Sequence, residues 1–129
     1  MSPTSPSVDR LFQALGDLTR LRIATLLSDS KTHACVCELT DALAERQYNI
    51  SRHLKALRAA GLVAPERDGR WVYYRLNLPA GPLGRRLSTL LRSLPADPQF
   101  SQDRDRLAKR LALRKHGRCC VWTTEDVVA

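Results

Sequence analysis

Apolar residues recur along the chain with the period of a helix. Val8, Leu11, Phe12 and Leu15 fall at i, i+3, i+4 and i+7, one face of a first helix that ends near Gly16. Leu18, Leu21, Ile23, Leu26 and Leu27 continue as a second, more fully apolar helix, from which Arg20 and Arg22 are expected to snorkel to solvent. A short third helix over roughly 36 to 44 carries Leu39 and Leu43, and after a break around Glu45 to Gln47 a fourth repeats Ile50, Leu54 and Leu57 up to Gly61. The period then changes. LVAPERDGRWVYYRLNL holds two β-prone segments around Asp68-Gly69, a dipeptide that favours a hairpin turn because both positions tolerate positive φ. Pro79 and Pro82 precede a fifth helix with Leu83, Leu87, Leu90, Leu91 and Leu94 in one stripe, which reads as core or dimer seam.

Pro95 and Pro98 mark a linker, followed by a charged segment, 99 to 115, whose narrow apolar strip of Leu107, Ala108 and Leu111 suits a helix lying on a partner subunit. The start, MSPTSPS, is Pro- and Ser-rich and expected to fray, and the ending, HGRCCVWTTEDVVA, has no clear periodicity. The expected organisation is therefore a disordered stretch over 1–7, a folded unit over 8–94, a linker and helix over 95–115, and a cysteine-containing tail over 116–129. The fold class is mainly α with a β-hairpin: helix, tight turn, helix, then ribbon is the layout of a winged helix-turn-helix.

Charge sharpens this picture. The net charge is +8, and residues 46 to 92 hold ten Lys/Arg against two Asp/Glu, whereas residues 1 to 45 hold four against six. A basic band over the helix pair and hairpin points to a polyanion, most simply duplex DNA. On the fourth helix Ile50, Leu54 and Leu57 face inward, leaving Gln47, Tyr48, Asn49, Ser51, Arg52 and Lys55 for the groove. Gln and Asn suit adenine edges, Arg suits guanine, and Ser or Tyr suits phosphate. Gln47, Asn49, Ser51 and Arg52 are the expected base readers, and His53 is read as a packing or phosphate-contact residue. Arg67 and Arg70, flanking the hairpin turn, would touch the DNA backbone or minor groove as the wing. Trp71, Tyr73 and Tyr74 read as ribbon and core packing, because duplex DNA offers no bases for stacking.

No apolar run approaches the roughly 18 residues of a membrane span, and the first ten residues lack the layout of a signal peptide, so a cytoplasmic protein with no membrane partner is expected. In a reducing compartment the four cysteines are candidates for free thiols, metal ligands or a sensor rather than a disulfide framework. HACVCEL, at 33 to 39, leaves these options open on spacing alone.

FQALGDLTRLRIATLL, CVCEL, ISRHLKALRAAGLV and RDGRWVYYRL, in this order between about Asp9 and Leu94, together resemble the ArsR/SmtB family of metalloregulatory repressors, in particular its arsenite-responsive branch. The resemblance implies a homodimer on a palindromic double-stranded operator that is released when a toxic metal or metalloid binds, with no permanently bound cofactor. It also implies Cys35 and Cys37 as ligands. Soft thiolates select soft ions, and a helix N-terminus favours the thiolate form. Two positions apart on a regular helix are roughly 200° apart, so both sulfurs reach one ion only if the helix start unwinds or a cysteine lies just outside it.

The chain departs from the family pattern at Thr40, where the arsenite site of the best-known members has a third cysteine. Arsenic(III) prefers three sulfurs, which leaves Cys119 and Cys120 as the candidates for completing the site from the same subunit or its partner. The expected inducer is As(III) or Sb(III), with Cd(II), Pb(II) or Zn(II) as alternatives, since four thiolates would suit a tetrahedral ion. A repressor triggered by thiol oxidation and a cytoplasmic arsenite metallochaperone are the competing readings. An enzyme is not expected: there is no Cys-x-x-Cys motif, no phosphate-cradling Gly-rich loop and no Ser/His/Asp arrangement.

Overall fold

The boundary between the first two helices is set by one side chain. Asp17 Oδ1 accepts the Arg20 backbone N–H at 3.1 Å, capping α2 (Leu18–Leu26) directly after α1 (Val8–Leu15). The computed structural model describes residues 7–29 and 32–119. Within α1 the expected stripe splits: Leu11 and Leu15 are buried, while Val8 and Phe12 remain more than half exposed. In α2, Ile23 and Ala24 are fully buried at the centre of the core.

Arg22 does not snorkel. It is buried, and its Nε and Nη2 donate to Asp103 Oδ2 and Oδ1 at 2.8 Å each, with Nη2 also reaching the Leu43 carbonyl at 2.9 Å. Arg20 folds back instead, its Nε donating to the Ala14 carbonyl at 2.6 Å.

Strand β1 (Ala34–Cys35) leads into α3 (Val36–Leu43), and a tight turn separates α3 from α4 (Gln47–Ala59). The turn begins at Ala44, whose φ of 54° is left-handed; an L side chain there costs roughly 1–2 kcal/mol against a right-handed residue. Ile50, Leu54 and Leu57 anchor α4 in the core with Leu39 and Leu43 of α3, and Gly61 follows the end of α4 at φ 76°.

The hairpin consists of β2 (Val63–Asp68) and β3 (Trp71–Leu76). Asp68 pairs with Trp71, so the two-residue turn is Gly69-Arg70, one position later than expected. Gly69 has φ 62°, and a positive φ at the first central position alone is what a type II′ turn requires. The ribbon is also wider than expected. β1 adds a third antiparallel strand in the order β1-β3-β2, with Cys35 opposite Tyr73; two residues are too few to show an alternating pattern in sequence.

Helix α5 (Pro82–Ser93) buries Leu87 and Leu91 and leaves Leu90 exposed. A Cβ on Gly84 would lie 1.7 Å from the Pro79 carbonyl oxygen, so this helix start tolerates no side chain there. After a short 3-10 turn, Leu94–Ala96, Asp97 caps α6 (Pro98–Leu111). The helix expected to lie on a partner subunit packs on α3 and α2 of its own chain. Its buried face holds Asp103 and Arg110 beside Phe100 and Leu107, and Ala108 is exposed, so half of its contact is ionic rather than an apolar strip.

Candidate functional site

Cys35 is both the last residue of β1 and the N-cap of α3, with extended backbone (φ −85°, ψ 171°). Its sulfur stands where Ser or Thr stands in a capping box: Sγ accepts the Glu38 backbone N–H, and Glu38 Oε1 accepts the Cys35 N–H at 3.1 Å. Because Cys35 lies just outside the helix, the angular separation of helical residues does not apply. Its thiol and that of Cys37 share a hydrogen bond without any unwinding.

The third cysteine arrives by a second turn. Lys115 and Arg118 exchange two backbone hydrogen bonds of 3.0 Å around His116-Gly117, both at positive φ (54° and 74°), as in a type I′ turn. This reverses the chain after α6 and returns Cys119 to the sheet, where its N–H donates to Tyr73 Oη at 2.8 Å. Cys35 Sγ, Cys119 Sγ and a Glu38 carboxylate oxygen lie within 4.8 Å of one another, and all three residues are buried. Cys35, Cys37, Cys119 and Tyr73 form one buried cluster with Trp71 against it, so the structure gathers three of the four expected cysteines. Cys120 lies outside the described residues. Thr40, at the position where the family pattern has a cysteine, is buried, and its hydroxyl has no hydrogen-bond partner among the described residues.

The surroundings are strongly charged. Arg114 donates from Nε and Nη2 to the two oxygens of Glu38 at 2.7 Å each, and Nη2 also reaches the His33 carbonyl. Arg110 donates to Asp41 at 2.6 Å and to Cys119 Sγ at 3.7 Å, and Arg106 to the Ala42 carbonyl at 2.7 Å. Arginines spaced at four residues thus fasten the C-terminal part of α6 and the segment after it to the length of α3.

The surroundings of Cys35 oppose the thiolate that the Glu38 N–H at the helix N-terminus favours. The hydrogen bond with Cys37, then burial, then the Glu38 carboxylate push the Cys35 thiol well above the usual range, which favours its S–H form. Burial likewise raises the Tyr73 phenol, which stays protonated.

Helix α4, packed on α3, presents a polar face. Gln47, Ser51, Arg52 and Lys55 are exposed, Tyr48 strongly so, and Asn49 is half-buried; Tyr48, Arg52 and Lys55 share one stripe at i, i+4 and i+7. Arg67 on β2 and Arg70 in the turn are exposed on the hairpin. His53 differs from its neighbours: its Nδ1 is 3.7 Å from Asp17 and 3.5 Å from Arg20, in the junction between α2 and α4.

Sequence reasoning missed Glu38, Tyr73, Arg110 and Arg114 as parts of the thiol site. Two signals were there to be used: Glu38 at the third position after the cap, and His-Gly as a turn dipeptide that brings the tail back. The arginines are joined to their partners across some 70 residues, a separation that no local pattern encodes.

The family model of bacterial regulatory proteins of the arsR family matches residues 17–64. The chain is 53% identical over 74 residues to the arsenic resistance transcriptional regulator ArsR2 of Pseudomonas putida, a match covering 57% of this chain and 61% of that protein. It is 48% identical to the arsenical resistance operon repressor of Escherichia coli over 53% of this chain and 57% of that one. An uncharacterized HTH-type transcriptional regulator of Methanocaldococcus jannaschii is 42% identical over 50% of this chain and 71% of its own length. The chain thus spans little more than half of the first two relatives. Among solved structures, HlyU from Vibrio cholerae superposes with a TM-score of 0.60 at 29% identity, covering 75% of this chain and all of that one. No helix among the described residues is long and apolar enough to cross a membrane. With a helix-turn-helix pair, a β-ribbon wing and these relatives, the chain belongs to the arsR family of bacterial regulatory proteins.

Proposed function

We propose that the protein is a dimeric, DNA-binding transcriptional repressor that leaves its operator when As(III) bonds to the thiols of Cys35, Cys37 and Cys119. The observation that carries this reading is one buried cluster of three cysteines at the N-cap of α3, the helix against which α4 packs, in which the Cys35 sulfur is hydrogen-bonded to Cys37 and lies within 4.8 Å of that of Cys119.

The protonation of Cys35 suits arsenous acid. Three thiols condense with neutral As(OH)3: three As–O bonds break, three As–S bonds form, and each thiol proton leaves with a hydroxide as water. The product is uncharged, which a buried pocket accepts without an unpaired ion. Antimonite follows the same chemistry. Cadmium, lead or zinc would have to expel the proton that the Cys35 surroundings favour and leave a charged thiolate set, which makes them the second reading.

Helix α4 would enter the major groove, with Gln47, Asn49, Ser51 and Arg52 toward base edges and Tyr48 and Lys55 toward phosphates, while Arg67 and Arg70 follow the backbone as the wing. His53 would position α4 through Asp17 and Arg20 rather than reach the groove. Val8 and Phe12 on α1 and Leu90 on α5 are the exposed apolar residues that would form the two-fold interface. Such a repressor works in the cytoplasm, where reducing conditions keep its cysteines as thiols.

Joining β1, the first turn of α3 and the returning tail through one arsenic atom fixes three segments that are otherwise held by hydrogen bonds. Any displacement of α3 is passed to α4 through Leu39, Leu43 and Leu54. A coupling of about 1–3 kcal/mol would weaken DNA binding roughly 5- to 150-fold. Fluorescence anisotropy on the duplex upstream of the gene tests this. Arsenite should release the wild type, and Cys37→Ser should bind DNA but resist release; a Cys37→Ser variant that is released like wild type would contradict the reading.

A further inference from the structure

Glu38 stands apart from the cysteines around it. Its carboxylate is fully buried, lies within 4.8 Å of both Cys35 and Cys119 sulfurs, and is the one oxygen ligand in that cluster among the described residues. It is also fully engaged: Arg114 takes both oxygens at 2.7 Å and the Cys35 N–H takes one at 3.1 Å. The guanidinium is itself held over the Tyr73 ring, 5.3 Å from its centroid, and by the His33 carbonyl.

Resting on the three-thiol reading above, we infer that Arg114 is the specificity-determining residue of the site, withholding Glu38 as a fourth ligand and so favouring As(III) over tetrahedral divalent cations. The charges and coordination numbers supply the reason. As(III) is satisfied by three sulfurs and gives a neutral complex, which leaves the Glu38–Arg114 pair intact beside it. A divalent ion on three thiolates carries a net negative charge and keeps an open position. The carboxylate oxygen that could fill it belongs to Glu38, and using it would break a bidentate ion pair and strand the Arg114 guanidinium in a largely buried place. A freed Glu38 would instead offer S3O coordination to cadmium or zinc.

The test compares As(III) and Cd(II) affinities, by chelator competition, in wild type, Arg114→Lys and Arg114→Lys/Glu38→Gln, together with the cadmium shell by X-ray absorption. Lysine keeps the charge but cannot hold both oxygens at once. In the wild type, cadmium should be bound by sulfur alone. In Arg114→Lys the affinity for cadmium relative to arsenite should rise by about 10-fold or more, the size typical of altering a group that orients a ligand, and a light O/N scatterer should appear in the cadmium shell. The double variant should lose both changes. An unchanged ratio in Arg114→Lys, a gain that survives Glu38→Gln, or a carboxylate oxygen on cadmium in the wild type would overturn the inference. Should Arg114→Lys fail to fold, as judged by far-UV circular dichroism, the wild-type cadmium shell still decides. Absence of sulfur around arsenic in the wild type would instead defeat the three-thiol reading, an outcome separate from any of these.

Discussion

The backbone N–H of Cys119 donates to the phenol oxygen of Tyr73 at 2.8 Å, and Tyr73 is the β3 residue paired with Cys35. One side chain therefore sets the distance between the tail cysteine and the cysteine that caps α3. Tyr73→Phe removes only this acceptor and leaves the ring in place. Arsenite affinity should fall by about 10-fold, in the range expected for a lost positioning contact, while operator affinity without arsenite stays unchanged. Isothermal titration and anisotropy on one preparation check both halves.

Asp103 is almost completely buried and neutralises Arg22, which is itself buried and donates to the end of α3 at Leu43. Asp103→Asn removes the bidentate counter-charge and leaves the buried guanidinium only the longer, partly exposed contact to Glu45 at 3.9 Å. Urea denaturation should show a loss of about 3–5 kcal/mol, much more than for the exposed pair of Arg118 and Asp68 at 3.2 Å.

Arg52 and Arg70 should separate by their salt dependence. Arg52→Ala on α4 should cost about 1–3 kcal/mol on the cognate operator and relax discrimination at one base pair. Arg70→Ala in the wing turn should weaken all duplexes alike and lower the salt slope by about 1. Anisotropy titrations at several salt concentrations on operator and scrambled duplexes distinguish the two.

Phe12 and Leu90 are each more than half exposed, on helices that bury Leu11 and Leu15 in α1 and Leu87 and Leu91 in α5, and Val8 is exposed one turn before Phe12. Phe12→Asp should therefore leave the monomer fold intact by circular dichroism and convert a dimer to a monomer in sedimentation. Operator binding should drop sharply, because the two half-sites are no longer bound together.

How far the sequence could be read follows from the range of each interaction. The helices from Val8 to Leu94 were legible because each buries one stripe, and Leu11, Ile23, Leu54, Leu57 and Leu91 lie where the period puts them. The wing was legible from its β-prone segments, although the Asp68–Trp71 pairing moves the turn to Gly69-Arg70. The pairing of β1 with β3, the burial of Arg22 and the return of the tail to Tyr73 were not legible. Each depends on partners tens of residues away, and an arginine that will be buried looks in sequence like one that will not. The family resemblance implies CVC as ligands, and arsenic's preference for three sulfurs points to a tail cysteine as the third. Their juxtaposition in a single chain depends on the His116-Gly117 turn and on Tyr73, neither of which that reasoning used.

The most direct measurement is arsenic X-ray absorption on the protein loaded with one equivalent of arsenite, in wild type and in Cys119→Ser. Three sulfurs around arsenic in the wild type, falling to two sulfurs and one oxygen in Cys119→Ser, is the expected result. Three sulfurs in both proteins would place the third ligand elsewhere, and neither Cys119 nor the turn that delivers it would then belong to the arsenic site.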